Sequence, residues 1–312
     1  MMRDIEQNDK PLEGARDVSQ QLYNLLKQWE YCDLIVDREL SSPLTAELAQ
    51  PGIDQLSLPI NPKGAALPIA RCRLLVRLSL AQLELLDASV SLSVEQNTQP
   101  VQQVRAIGGW LFSNTVPQER LARRLEQAII VHIEDGPQAL LRIWDPRVIG
   151  HLERILTPLQ LADLMGPITC WAWLDRAGQL RMLNKPQLAE HATMSIFPLR
   201  LTAGQSAAID RIEEINRLLR TLALLGHAIP PARDAELDAL LVQAQRKGHT
   251  EQDDALAYCL HALLISERFD EIPAVQQAIA QAHADGRGLC SAIEQFDDVF
   301  WAAHADAAAA TT

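Results

Sequence analysis

Residues 129–167, IIVHIEDGPQALLRIWDPRVIGHLERILTPLQLADLMGP, decide the fold. The first sixteen read as a hairpin about Asp135-Gly136, because an Asp-Gly pair tolerates the positive φ of a tight hairpin turn. Leu141 and Ile143 share one face of the returning strand, and Leu140, Arg142 and Trp144 share the other. That strand is expected to run straight into Asp145-Pro146-Arg147. The Asp145 carboxylate can accept amide protons that a helix start leaves unpaired. Pro146 then occupies the first helical position, where its missing N–H costs nothing. Val148, Ile149, Leu152, Ile155 and Leu156 recur on one helical face. Thr157-Pro158-Leu159-Gln160 opens a second short helix as a capping box, and Gly166-Pro167 stops it. Two strands followed by two capped helices imply a mixed α and β unit.

The same pattern extends in both directions. Downstream, ITCWAWLDRAGQLRML (168–183) reads as a hairpin turning at Asp175–Gly178, with Trp171 and Trp173 on one face. Upstream, Thr115-Val116-Pro117-Gln118 fits a capping box with Pro117 in the first turn, and Leu121, Leu125 and Ile129 follow as an apolar face. VRAIGGWLFS (104–113) is a strand in which Gly108-Gly109 marks a bend or bulge. RCRLLVRLSL (71–80) alternates, with Cys72, Leu74 and Val76 on one side. Arg71, Arg73 and Arg77 fall outside that set, so one face or edge is expected to be wet. Residues 82–95 fit helix or strand equally. Ser41–Pro68 is rich in Pro and Gly and reads as loop around a short helix at Ala46–Leu48. YCDLIVD (31–37) is a buried strand, and residues 18–29 place Leu22, Leu25, Leu26 and Trp29 on one helical face.

After Leu201 only helical spacing remains. Thr202–Gln205 is a further capping box, and Ile209, Ile212, Ile215, Leu219 and Leu222 recur as far as Gly226. Leu237, Leu240 and Leu241 mark a second helix ending by Gly248. Leu256, Cys259, Leu260, Leu263 and Leu264 mark a third. Val275 and Ile279 mark a fourth, ending by Gly286, and Ile293, Phe296 and Phe300 a fifth. The fold class is therefore α/β in the mixed sense: a sheet-and-helix lobe over 18–201, then an all-helical lobe over 202–303. Residues 1–17 and 304–312 are expected to be disordered ends.

Composition narrows the function. The 312 residues carry a formal net charge of −12, of which −3 falls on residues 1–202 and −9 on 203–312. An acidic helical lobe repels phosphate backbones, so nucleic acid is not an expected partner, whereas a basic protein surface is. No apolar run approaches the ~20 residues a bilayer requires, and the start of the chain lacks a secretory signal, so a cytoplasmic location is expected. The five cysteines (Cys32, Cys72, Cys170, Cys259 and Cys290) are scattered, without a C-x-x-C pair, and read as small buried hydrophobes.

Motifs for common chemistries are missing: no phosphate-binding glycine loop, no G-x-S-x-G elbow, no H-E-x-x-H pair. Cys259 and His261 lie two apart on a helix and point in different directions, as do the neighbours Asp253-Asp254 and Asp297-Asp298. His132 and His151 are isolated and read as structural or surface histidines. The one concentrated polar-aromatic cluster is Arg142, Trp144, Asp145, Pro146 and Arg147. It could be a recognition surface or a catalytic corner. A structural account also explains every residue type: Asp145 caps a helix, and an arginine pairs with a carboxylate while packing on Trp144.

The series GGWLFSN, LARRLEQAI, LLRIWDPRVIGHLERIL, TPLQLADLMGPI and WAWLDRAGQL, between Trp110 and Leu183, resembles the adaptor family of bacterial type VI secretion, also called effector chaperones. LYNLLKQWEYCDLIVD near the start and the helical stretch from Asp253 are similar more weakly. The family often has Tyr where this chain has Trp144. The resemblance implies a non-catalytic protein that binds a secreted effector and helps load it onto the tip of the spike protein VgrG. It implies no cofactor, no metal and no small-molecule substrate. Arg142, Trp144, Asp145, Pro146 and Arg147 are the signature positions and a possible interface. Two other roles fit the residues: an immunity-type inhibitor whose acidic lobe plugs a toxin, and a hydrolase or transferase using the Asp145/Arg147 corner.

Overall fold

A computed structural model describes residues 10–37, 44–49, 53, 57–60, 73–98, 105–113, 116–134, 136–188 and 198–305. The chain divides into two compact units, Met1–Ala207 and Ala208–Thr312. The fold is mixed, with sheets in the first unit and helices alone in the second. Among the described residues no helix is long and apolar enough to cross a membrane.

In chain order the first unit contains α1 (Lys10–Trp29), β1 (Tyr31–Asp37), α2 (Thr45–Leu48), β2 (Ser57–Ile60), β3 (Arg73–Ser79), α3 (Leu83–Thr98) and β4 (Ile107–Ser113). There follow α4 (Gln118–Ala128), β5 (Ile130–Ile133), β6 (Gln138–Leu140), α5 (Pro146–Ile155), α6 (Pro158–Met165), β7 (Ile168–Leu174), β8 (Leu180–Asn184) and β9 (Leu199–Leu201). Six strands form an antiparallel sheet in the order β2-β3-β1-β4-β7-β8. A second sheet, β6-β5-β9, pairs β5 with β9 in parallel. Helix α1 starts at Lys10, well inside the stretch expected to be disordered, and residues 82–95 resolve as helix.

The large sheet is apolar on one face. Cys32, Leu34 and Val36 of β1, Leu74, Val76 and Leu78 of β3, Trp110 and Phe112 of β4, and Cys170, Ala172 and Leu174 of β7 join Leu22 and Leu26 of α1 and Leu85, Leu86 and Val90 of α3 in one core. Trp110, fully buried, donates its indole N–H to Ser89 Oγ at 3.1 Å, so the aromatic enters the core without an orphaned donor. Gly108 and Gly109 form the expected bulge: Ile35 pairs with Gly109 and Val36 with Ile107, leaving Gly108 as the extra residue. Gly109 has φ +129°, and a Cβ there would lie 2.6 Å from Trp171 Nε1.

The opposite face corrects the sequence reading of β3. Arg73 and Arg77 are half-buried and paired rather than free on a wet face, with side chains 22% and 20% exposed. The register sets Asp33 opposite Arg77 and Asp37 opposite Arg73, on either side of the apolar pair Ile35 and Leu75. Asp33, fully buried, takes Arg77 Nε and Nη2 at 3.0 and 2.9 Å, and Asp37 pairs with Arg73 at 2.7 Å. Burial raises the Asp33 carboxyl above the usual carboxylate range even against the pull of Arg77. Helix α4 packs over β2 and β3. It begins at Gln118 with Pro117 as its cap, two residues later than the expected cap at Thr115, which lies outside the described residues.

Helix α7 (Ala203–Leu224) spans the division between units. The second unit continues with α8 (Asp234–Arg246), α9 (Gln252–Leu264), α10 (Pro273–Ala284), α11 (Leu289–Ile293) and α12 (Asp298–His304). Its core gathers Ile215, Leu218, Leu222, Leu237, Leu241, Tyr258, Phe269, Val275 and Leu289. His227, His249 and Arg287 donate their amides back to Leu222, Ala244 and Ala282 just past Gly226, Gly248 and Gly286, so three helices end where the glycines predicted. The expected fifth helix is two. Asp297 accepts the Phe300 amide at 2.8 Å and starts α12 anew, which lets Phe296 stack on Phe300 at 4.3 Å.

Candidate functional site

The corner singled out in the sequence is a junction, built differently from expectation. Strand β6 ends at Leu140, so Trp144 does not share a strand face with Leu140 and Arg142. Leu141 to Asp145 instead close a turn in which the Asp145 amide donates to Arg142 O at 3.0 Å. Trp144 is thereby folded inward while Arg142 stays exposed. The Trp144 carbonyl lies so close to Gly108 that a Cβ there would sit 2.6 Å from it. The glycine bulge and the tryptophan corner therefore require each other.

Asp145 is 3% exposed and fully engaged. Its Oδ1 accepts the Arg147 amide at 3.0 Å, which makes it the N-cap of α5. The Arg147 side chain closes on the same carboxylate through Nε to Oδ1 at 2.9 Å and Nη2 to Oδ2 at 2.6 Å. Pro146 stands at the first turn as the sequence predicted. The arginine that pairs with a carboxylate while packing on Trp144 comes from outside the expected cluster. Arg147 holds Asp145, while Arg73 of β3 lies over the Trp144 ring, 4.9 Å from its centroid, and pairs with Asp37.

Arg73, Asp37 and Arg105 were missed as members of this corner. The signal for the first two was present: Asp33/Asp37 and Arg73/Arg77 each sit four apart on a strand, so an antiparallel register can match both pairs on one face. Arg105 had no such signal. It stands just before β4, and burial, reinforced by Arg147, lowers its guanidinium to about 10, with Asp145 opposing.

The neighbouring helix starts are tied together. Thr157 and Gln160 form the predicted capping box, as do Thr202 and Gln205. The two glutamine amides meet at 2.7 Å, and Gln205 also donates to Ile155 O at the end of α5. At the β7–β8 turn, Asp175 accepts the amides of Ala177 and Gln179 and the side chain of Arg181.

The isolated candidates stay apart. Cys259 is buried in the helical core and burial raises its thiol to about 12, whereas His261 turns to Ala257 O and to the edge of Trp301. Asp253 pairs with Arg217, and Asp254 accepts the Cys290 amide at 2.9 Å. His132 meets Gln138 across the small sheet, and His151 is buried on α5. Cys32, Cys170, Cys259 and Cys290 are free thiols; Cys72 lies outside the described residues. No group of three or more His, Cys, Asp or Glu among the described residues is placed to hold a metal ion.

No curated protein and no solved structure matches this chain. A family model described as a domain of unknown function (DUF4123) matches residues 73–163, the span from β3 to α6 that contains Arg73, Arg105, Trp144, Asp145 and Arg147.

Proposed function

We propose that this chain is a non-catalytic, cytoplasmic adaptor of type VI secretion that holds an effector and helps load it onto the VgrG spike tip. The observation that carries the reading is the ordered motif series from Trp110 to Leu183, which resembles that adaptor family. The match over residues 73–163 falls on the same centre of the chain. The chemistry at Asp145 favours binding over catalysis. A general acid or base must reach a substrate proton, and both Asp145 oxygens are already committed to a helix cap and to Arg147. In a host that carries the chain with its spike and effector, deleting it should abolish delivery of that effector and spare release of the spike. Delivery at the wild-type level would refute the role. The acidic charge of the helical unit favours one second reading, an immunity-type inhibitor. Expression of the chain alone in cells exposed to the toxin separates the two, since an inhibitor protects them and an adaptor does not.

A further inference from the structure

The two edges of the six-stranded sheet are built differently. An edge strand leaves backbone donors and acceptors unpaired, and folds ordinarily blunt or cover such an edge. At one edge β2 carries Pro59, and α4 packs against it. At the other edge β8 is open. The Lys185 amide donates to Thr169 O at 2.8 Å and the Asp175 amide to Gln179 O at 2.9 Å, at either end of the β7–β8 ladder. Bonded pairs alternate along an antiparallel ladder, so Leu183 and Arg181 turn their backbone groups toward Trp171 and Trp173. The backbone groups of Leu180, Met182 and Asn184 then point away from the sheet. Met182 is 49% exposed, although its partner Ala172 lies on the buried core face, so the covering helices stop short of this edge. Arg181 and Lys185 stand on the opposite face. Arg181 is 48% exposed beside Asp175, and Lys185 donates to Gly166 O with no carboxylate partner among the described residues. The edge strands of the small sheet have three residues each, whereas β8 has five.

We infer that β8 takes up an extended segment of a partner protein as an added strand, with acidic residues on one face of that segment and apolar residues on the other. Donors and acceptors that recur at every second residue are matched by another backbone in strand conformation. In that arrangement an apolar side chain lies beside Met182, and acidic ones lie beside Arg181 and Lys185. A second copy of β8 would bring its own Arg181 and Lys185 to the same face, so the charge favours a different, acidic strand. That the segment belongs to an effector rests on the adaptor reading; the strand chemistry comes from the edge itself.

The test uses the full chain, labelled with ¹³C at the methyl groups of its five methionines. The resonance lost in Met182→Leu identifies Met182. The peptide acetyl-Thr-Val-Glu-Val-Glu-Val-Thr amide should move that resonance saturably, about tenfold more tightly than its counterpart with Lys in place of Glu. Asn184→Pro deletes an outward N–H while sparing the ladder to β7, and should weaken binding about tenfold, whereas Asn184→Ser should not. N-methylation of the central Val of the peptide removes a strand donor without touching the protein and should weaken binding to a similar degree. Equal affinity for the Glu and Lys peptides, no saturable shift at Met182, or undiminished binding by the N-methylated peptide would overturn the inference. Binding in a chain that delivers no effector supports this edge while removing the delivery role. Its absence in a chain that does deliver an effector overturns this edge alone.

Discussion

Asp145 joins a helix cap to an ion pair, and removing it should expose both contributions in sequence. Asp145→Ala deletes the cap acceptor of α5, a loss of about 1 kcal/mol. It also leaves Arg147, whose side chain is 17% exposed, without its carboxylate, and Arg105 without the neighbouring Asp145 charge. Breaking a buried pair from one side costs about 3–5 kcal/mol, and the residual exposure of Arg147 places this case at the lower end. The total is about 4 kcal/mol. Asp145→Asn keeps an oxygen for the cap and loses only the charge, about 3 kcal/mol by the same reasoning. Arg147→Met should be milder, about 1–2 kcal/mol, because Asp145 keeps its cap bond and Arg105 remains close enough to oppose its charge. Urea unfolding followed by tryptophan fluorescence reads this unit, since Trp29, Trp110, Trp144, Trp171 and Trp173 precede Ala207 and only Trp301 follows. The midpoints should fall in the order wild type, Arg147→Met, Asp145→Asn, Asp145→Ala, with unchanged slope. An Asp145→Ala protein within about 1 kcal/mol of wild type, or less damaged than Arg147→Met, would refute the account of one carboxylate serving a cap and two guanidiniums.

Three further perturbations test other parts of the fold. Gly109→Ala adds a Cβ at φ +129° against Trp171 Nε1 and the Ala172 carbonyl, and should cost about 3 kcal/mol in the same urea assay; a neutral result would show the bulge to be dispensable. Arg77→Met strands the fully buried Asp33 and should cost about 3–5 kcal/mol, part of which Asp33→Asn should restore in the double variant; purely additive losses would deny the pairing. In the helical unit, burial holds His249 below its ordinary value of 6.5; Asp254 and Asp270 oppose this, whereas His283 and Lys247 reinforce it. The unfolded chain therefore binds the proton more readily, so stability is complete above about pH 6.5 and declines as pH falls through that value. Hydrogen exchange in α8 and α9 should speed up between about pH 7.5 and 5.5, after correction for intrinsic rates. His249→Phe, which keeps the ring stacked on Tyr258, should blunt that change, and an identical pH response in both proteins would exclude His249 as its source.

Local rules made much of this fold legible. The capping boxes at Thr157 and Thr202, the Asp145 cap, the Asp175 turn and the glycine helix ends all depend on residues within a few positions of one another, and each formed as its sequence indicated. What escaped depends on partners distant in the chain. Arg73 and Arg77 looked wet because the residues that neutralise them, Asp37 and Asp33, lie some forty positions earlier and meet them only through strand register. Residues 82–95 were ambiguous because α3 buries Ser89, Ser93 and Gln96 among its apolar residues, which blurs the helical period. Gln96 is placed inside because its side chain accepts the Ala106 amide at 2.8 Å. Trp144 was assigned a strand face because alternation cannot reveal the turn that begins at Leu141. At the site, the cap and its proline were readable, and the arginine that packs on Trp144 was not, because it comes from β3.

The central claim is that this chain binds protein partners and delivers one to the other. The most direct measurement is to co-express the tagged chain with a type VI spike protein and a candidate effector from its own host, purify through the tag, and resolve the eluate by size exclusion. The account predicts a stable complex with the effector, greater effector solubility than without the chain, and recruitment of the spike to that complex. A chain that elutes alone as a monomer, with both candidates absent from its fractions, would contradict it.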